Sequence, residues 1–336
     1  MRILGIESSC DECAASVVED GKTIISNVIA TQIDFHKPYN GVVPEIASRL
    51  HLEWISSVVK EALVKANMQS CELDGVAVTS RPGLMGSLLV GLSFAKAFSW
   101  SLAIPFVTVD HIKAHLYAAH LEQDISYPYI GLLVSGGHTI ICKVEAFDQI
   151  HIMGTTIDDA VGEAFDKVAK FYNLGYPGGV CIDKLSKEGD MDFFDFPSPN
   201  LHKGEHPYDV SYSGLKNAVL HQTHLFKAKG GDYTVADIVA SFQKRAISIL
   251  LKRLFKATAD TGIYKVVAGG GVAANSYLRS ELAKKSDLQV IFPSLSLCTD
   301  NGAMIGGIGF HYLKQGCDEL DVTASPRVTG FKKNYP

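Results

Sequence analysis

One order of elements occurs twice along this chain, and that repetition constrains the fold more than any single motif. "RILGIESS", "CAASVVED" and "KTIISNVIA" read as three short strands joined by tight turns. An aromatic, Gly- and Pro-containing loop, "QIDFHKPYNGVVP", leads into a long amphipathic helix, "EIASRLHLEWISSVVKEALVKAN". A buried strand ("LDGVAVTS"), a helix ("SLLVGLSFAKAFSWSL") and a strand ("PFVTVD") follow. From residue 129 the cycle restarts: "YIGLLVSGGHTIICKVEAFDQIHIMGTT" is strand, glycine turn, strand, strand, and "DDAVGEAFDKVAKFYNL" is a helix. Later come a helix at "VADIVASFQKRAISILLKRLFKATAD", the strand "YKVVAGG", the helix "NSYLRSELAKKS", the strand "LQVIFPS" and the helix "DNGAMIGGIGFHYLKQG". The two halves, 3–115 and 129–310, align in pattern only, with the turns "ESSCDEC" and "VSGGHT" in matching places. Two related α/β lobes with a ligand cleft between them are expected. The stretch 190–235 is irregular and polar and reads as an insertion.

Composition excludes some classes of protein. With 336 residues, 47% apolar and 20% charged, each lobe can bury its own core and the chain is neither fibrous nor disordered. The net charge of −5 leaves a local nucleic-acid patch open; "KRAISILLKRLFK" (Lys244, Arg245, Lys252, Arg253, Lys256) and the tail "RVTGFKK" are candidates, against ordinary solvated faces. Of seven cysteines only Cys10 and Cys13 form a CxxC, and without a second such pair they read as reduced, cytosolic thiols. "SLLVGLSFAKAFSWSLAIPFV" is the nearest thing to a membrane span, but Lys96 and Pro105 break it, so a core helix running into a strand is expected. The N-terminus has no basic-then-apolar leader pattern, so the chain is expected in the cytoplasm with no membrane partner.

Six glycine- or histidine-bearing stretches could carry chemistry. "DHIKAHLYAAH" sets His111 and His115 four apart, which on a helix stacks both imidazoles on one face. Zinc peptidases need a glutamate directly after the first histidine; Ile112 stands there, so peptide hydrolysis is a poor reading. A third ligand would be an acid from another loop, and "CTDNGAMIG" offers Asp300, whose plainer reading is a helix N-cap. "VSGGHT" is either an anion nest or a hairpin turn. "VVAGGGVAANSYLRSEL" ends a strand in three glycines and opens a helix at Asn275, letting backbone approach a flat ligand. It is neither a dinucleotide fingerprint nor a Walker loop. "YPGGV" and Asp166 in "DDAVGEAFDK" add candidates, although Asp166 alone could be a solvated helix carboxylate. A small-molecule kinase or ATPase and a nucleotide-regulated binding protein remain the rival classes.

Taken together, "GIESSCDE", "GVVPEIASRLH", "PGLMGSLLVGLSFAK", "DHIKAHLYA", "LLVSGGHT", "DDAVGEAFDKVAK", "YPGGV", "SYSGLKNAV", "VAGGGVAAN" and "TDNGAMIG" occur in the order and spacing of one family. The chain closely resembles the TsaD/Gcp family of bacterial tRNA N6-adenosine threonylcarbamoyltransferases along nearly its whole length. The resemblance implies an α/β, two-lobed actin/Hsp70/sugar-kinase-like (ASKHA) fold with duplicated ribonuclease-H-like subdomains. It divides the chain into an N-terminal lobe at 1–108, with the tail 318–336, and a C-terminal lobe at 109–317 bearing the metal and nucleotide sites. It implies a divalent metal, Fe2+ first and Zn2+ second, on His111, His115 and Asp300. It implies an adenine nucleotide (threonylcarbamoyl-AMP, AMP, ATP or ADP) held by Val134, Ser135, Gly136, Gly137, His138, Asp166, Gly179, Asp183 and Asn275. Asp11 and Glu12 take the place of the family's functional acidic pair. Partners implied are tRNA, a TsaB-like paralogue docking on the N-terminal lobe and a TsaE-like ATPase. Three positions depart from the family pattern: Cys13 for threonine, Arg81 for glycine and Asn40 for glycine.

Overall fold

The computed structural model describes residues 1–198, 207–221, 223 and 232–327. In chain order its strands are β1 (Arg2–Glu7), β2 (Glu12–Glu19), β3 (Thr23–Thr31), β4 (Gly75–Arg81), β5 (Phe106–Asp110), β6 (Tyr129–Val134), β7 (Thr139–Val144), β8 (Ile150–Thr155), β9 (Lys265–Gly269) and β10 (Gln289–Ile291). The helices are α1 (Ile33–His36), α2 (Pro44–Lys65), α3 (Met85–Leu102), α4 (His111–Tyr117), α5 (Val161–Phe171), α6 (Gly178–Leu185), α7 (Ser213–His221), α8 (Val235–Thr261), α9 (Ser276–Ala283), α10 (Leu295–Cys298) and α11 (Gly302–Gln315). Met1–Ser126 and the described residues from Pro293 on form one compact unit; Tyr127–Phe292 forms another. This division differs from one at 108/109: α4 and the segment around Asp300 belong with the first sheet.

Each unit holds one five-stranded sheet, and the two share a topology. The first runs β3-β2-β1-β4-β5, with β1–β2 and β2–β3 antiparallel and β1–β4 and β4–β5 parallel. The second, written β8-β7-β6-β9-β10, repeats those relations: β6–β7 and β7–β8 antiparallel, β6–β9 and β9–β10 parallel. Tight turns suffice for the antiparallel pairs, whereas the parallel ones need crossovers, which α2, α3, α8 and α9 supply. The halves can match in pattern without matching in sequence because what is shared is burial periodicity.

The period-two alternation of β1 sorts its residues onto two faces. Leu4 and Ile6 join Ala15, Val17, Ile55, Val59, Val76 and Leu92 in a core under α2 and α3. Gly5 and Glu7 point the other way. A Cβ on Gly5 would lie 2.2 Å from the Gly302 carbonyl oxygen and 2.3 Å from Gly306 N, so α11 packs backbone against strand. That close approach carries the segment leading into α11, Asp300 and the capping Asn301, with it.

The apolar stripe of α2 turns inward at Ala47, Leu50, Ile55, Val58, Val59 and Ala62, leaving Leu52 and Val64 exposed. Among the described residues, α3 is the one helix long and apolar enough to cross a membrane, with 33% of that stretch buried. Ser87, Leu88, Gly91, Leu92, Ala95 and Ser99 face inward, so the expected core helix is buried on one side only, and Trp100 stands exposed. Of the insertion at 190–235, residues 199–206, 222 and 224–231 lie outside the described residues, as does the tail from 328.

Candidate functional site

The first unit builds its polar site at the carboxyl ends of β1, β4 and β5. Asp110, the last residue of β5, caps α4: its Oδ1 accepts from the backbone N–H of Ile112 at 3.0 Å and of Lys113 at 3.3 Å. His111 and His115 then fall on one helical face, with ring centroids 4.5 Å apart. The cap of α11 is Asn301, whose Oδ1 accepts from Met304 N at 3.0 Å. Asp300 is therefore released from the capping role that the sequence left open. Its Oδ1 lies 3.0 Å from His115 Nε2 and 3.5 Å from His111 Nε2.

The three candidate ligand atoms lie within 4.8 Å of one another, on side chains that are buried or half-buried. Two imidazoles and a carboxylate converging on one point fit an iron or zinc site that leaves positions open for substrate. The far side of His111 fits as well. Its Nδ1 is 3.0 Å from Glu7 Oε2, the carboxylate–histidine arrangement that supports metal-ligating histidines. Burial opposes a charge on His111, but the Asp300 and Glu7 carboxylates outweigh it and raise its pKa to about 9. Burial likewise opposes ionisation of Glu7, and the His111 imidazolium reverses that and holds it low. For Glu12, burial and then the Asp11 and Asp300 carboxylates raise the pKa to about 10, so this group keeps its proton at neutral pH. Asp11 is buried beside it. The gathering of acids is one whose mutual repulsion a divalent cation would offset.

Burial lifts the Cys10 thiol well above its ordinary range and the Cys13 thiol to about 12. Neither is disposed to form the thiolate that a redox pair needs. Of the other family departures, Asn40 has φ 51°, a left-handed position that asparagine tolerates. Arg81 ends β4, with Nε 3.5 Å from Asp110 Oδ2.

The second unit gathers the predicted nucleotide residues into a closed ring of contacts. Ser135–His138 forms the β6–β7 hairpin turn, Ser135 N donating to the His138 carbonyl at 2.8 Å and His138 N to Ser135 Oγ at 3.1 Å. The hairpin alternative thus describes its backbone, with Gly136 and Gly137 open: a Cβ on either would meet nothing within 4 Å. A Cβ on Gly162, at the start of α5, would sit 2.5 Å from the Ser135 oxygen. Asp166, on the same helix, accepts from Gly178 N at 2.8 Å, which ties down the turn bearing Gly179. Asp183 of α6 accepts from Ser276 Oγ at 2.8 Å, beside Asn275. Asn275 caps α9 through Leu278 N at 2.9 Å and donates to Gln243 Oε1 at 2.8 Å. Gly270, at φ +89°, closes the ring, since a Cβ there would lie 2.4 Å from the Val134 oxygen. Gly179 and Gly271 are open like Gly136. Asp166, Asp183 and Asn275 each therefore spend at least one oxygen on holding the loops.

Four of the five basic residues of α8 are engaged inside their own unit: Lys244 pairs with Asp192, Arg245 with Asp195 and Lys256 with Asp260, while Arg253 donates to the Pro207 carbonyl. The sequence reading overlooked Glu7, Thr79 and Gln243, all buried and polar. Glu7 carried a signal, a lone acid on the inner face of the apolar strand "RILGIE", because such a side chain is almost never buried unpaired.

The family model of TsaD, tRNA N6-adenosine threonylcarbamoyltransferase, matches residues 23–307. A Treponema denticola protein of that name is 63% identical over 334 residues, 99% of each chain. A Borreliella burgdorferi protein of the same name is 52% identical over 336 residues, covering all of this chain and 96% of its own. Among solved structures, component A of the Acidaminococcus fermentans (R)-2-hydroxyglutaryl-CoA dehydratase superposes with a TM-score of 0.55 at 14% identity, covering 94% of this chain and 99% of its own. Full-length HypF superposes at 0.59 and 16% identity, covering 96% of this chain and 56% of its own. Those two likenesses are of fold, and they agree with the expected ASKHA fold and its duplicated subdomains. Family model, relatives and topology lead to one assignment: the chain belongs to the TsaD family of tRNA N6-adenosine threonylcarbamoyltransferases.

Proposed function

We propose that the chain transfers the threonylcarbamoyl group of threonylcarbamoyl-AMP to N6 of the adenosine following the anticodon in tRNAs that read ANN codons, releasing AMP. The observation that carries this reading, on a chain of this family, is the convergence of His111, His115 and Asp300. The N6 amine is a weak nucleophile because its lone pair is delocalised into the purine. Catalysis must therefore come from holding the two reactants in line and stabilising charge on the carbonyl oxygen and the leaving phosphate. His111 Nε2, His115 Nε2 and Asp300 would hold the metal, Fe2+ or Zn2+, which supplies a Lewis acid and a template for the threonylcarbamoyl end. The Val134–His138 turn, Asp166, Gly179, Asp183 and Asn275 bind the adenylate, with the open Gly136, Gly137 and Gly179 letting backbone approach phosphate and ribose. Asp11 or Glu12 is the acceptor for the N6 proton.

Family membership makes tRNA the substrate. A TsaB-like paralogue on the N-terminal unit and a TsaE-like ATPase are the further partners in this reading, and the exposed Leu52 and Trp100 on α2 and α3 support the first. The working compartment is the cytoplasm. Incubating the purified chain and these partners with threonylcarbamoyl-AMP and unmodified tRNA should yield the modified nucleoside. ATP hydrolysis without tRNA or threonylcarbamoyl-AMP would instead favour a small-molecule kinase, and nucleotide binding without turnover a regulatory module.

A further inference from the structure

The three candidate ligands do not include Glu7, which lies behind one of them. Its side chain is fully buried at the end of β1, where a carboxylate is costly unless its oxygens are satisfied. They are: Oε1 accepts from Ser9 N at 2.5 Å, and Oε2 accepts from Thr79 Oγ1 at 2.6 Å while facing His111 Nδ1 at 3.0 Å. Ser9 Oγ is the other group near that nitrogen, at 3.3 Å. His115 differs, because its Nδ1 is buried without a protein hydrogen-bond partner. One imidazole of the pair is thus oriented from behind by a carboxylate, and the other is not.

We propose that Glu7 is a positioning residue of the metal centre, accepting the Nδ1–H of His111 and so fixing the tautomer whose Nε2 lone pair faces Asp300 and the ion. The proposal rests on reading His111, His115 and Asp300 as ligands. The competing role for Glu7 is structural, a clasp between β1 and β4 through Thr79. Glutamine separates the two roles because it offers one acceptor and one donor end. Ser9 N needs the acceptor, so the amide NH2 must meet Thr79 and His111. The Thr79 hydroxyl can rotate to accept. The His111 ring can accept at Nδ1 only by moving its proton to Nε2, which removes the lone pair the metal needs.

The test uses the full-length chain stripped with chelator and titrated with Zn2+ and Co2+ in competition with a chromophoric chelator. Variants are Glu7→Gln, Glu7→Asp and Thr79→Val, and the Co2+ visible spectrum is recorded at saturation. Glu7→Gln is expected to weaken binding about 10- to 100-fold and to alter the Co2+ bands. Thr79→Val, which breaks the clasp and leaves the carboxylate on His111, should bind within about threefold of the unaltered chain, with unchanged bands. Glu7→Asp, which draws the carboxylate back by one methylene, should fall between, and it replaces the glutamine variant if that one does not fold. Equal affinity and an identical spectrum for Glu7→Gln would overturn the Glu7 role alone. So would Thr79→Val reproducing its loss, since the effect would then be structural. Failure of the unaltered chain to bind either ion would overturn both the metal reading and this one.

Discussion

Gly5→Ala tests whether the packing of α11 on β1 sets the geometry of the proposed metal centre. A Cβ at residue 5 would lie 2.2 Å from the Gly302 carbonyl oxygen, 2.3 Å from Gly306 N and 2.8 Å from Gly306 Cα, where ordinary contact begins at 3.4 Å. All three atoms are backbone, so no rotamer change can relieve the clash, and the helix must retreat by about an ångström. Overpacking of this kind costs about 1–3 kcal/mol, of which the less flexible unfolded chain returns about 0.4–1 kcal/mol. For a body of this size the net, roughly 0.5–2 kcal/mol, is a fall in melting temperature on the order of 1–8 °C. The same retreat should carry Asp300 away from His115, opening a contact that now stands at 3.0 Å. Calorimetry with and without Zn2+ reads both consequences: a lower melting temperature in chelator, and a smaller stabilisation by Zn2+ than the unaltered chain shows. Gly271→Ala, whose Cβ meets nothing within 4 Å, is the matched control: it should raise the melting temperature slightly, by about 1–3 °C, and leave the Zn2+ response unchanged. A Gly5→Ala protein that melts within about 1 °C of the original and keeps its Zn2+ response would refute the claim that α11 is clamped through Gly5.

Glu12→Gln should stabilise the metal-free chain near pH 7 by roughly 1–3 kcal/mol, because the unfolded carboxyl ionises near its ordinary 4.5 and the folded one only near 10. Burial and the neighbouring carboxylates thus cost stability progressively as pH rises between those values; urea titrations should find no difference at pH 4 and a widening one up to pH 9, and a constant difference would defeat the assignment. Gly136→Ala should leave the melting temperature unchanged or slightly raised while weakening AMP binding about tenfold or more by calorimetric titration, whereas Gly162→Ala, 2.5 Å from the Ser135 oxygen, should lower both. Equal AMP affinity for Gly136→Ala would remove the hairpin tip from the nucleotide site. Arg81→Gly should cost no more than about 1 kcal/mol, since its guanidinium is 43% exposed although Asp110 is buried, and a double-mutant cycle with Asp110→Asn should report that coupling directly.

The fold was legible because burial periodicity survives where sequence identity between the halves does not. "RILGIE" and "YIGLLV" share no motif, yet both become the strand at which an antiparallel meander meets a parallel pair. Partial burial of α3 was not legible, because composition records how apolar a helix is and not how much of it finds a neighbour. At the site, the four-residue spacing of His111 and His115 announced a shared face, but nothing local tied residue 300 to it. Asp300 was equally well read as a cap until Asn301 proved to hold that role. Long-range convergence of this kind depends on Gly5, Gly302 and Gly306, residues that carry no chemistry and act only by the backbone approach they permit.

Seven glycines around the two candidate sites consequently fall into two classes that sequence alone does not separate. Gly5, Gly162 and Gly270 are packed against backbone at 2.2, 2.5 and 2.4 Å, and any side chain there displaces a structural element. Gly136, Gly137, Gly179 and Gly271 face open space, where a methyl group would cost the fold nothing. An open glycine still pays the larger conformational entropy of its unfolded chain, so its retention needs another reason. In a ring closed by Asp166, Asp183 and Asn275, that reason is the surface it leaves bare for a ligand to approach the backbone. Alanine at each of the seven positions, scored for stability and AMP affinity separately, should sort them into these two groups, and a scan in which both properties fell together at every position would show that the distinction is not real.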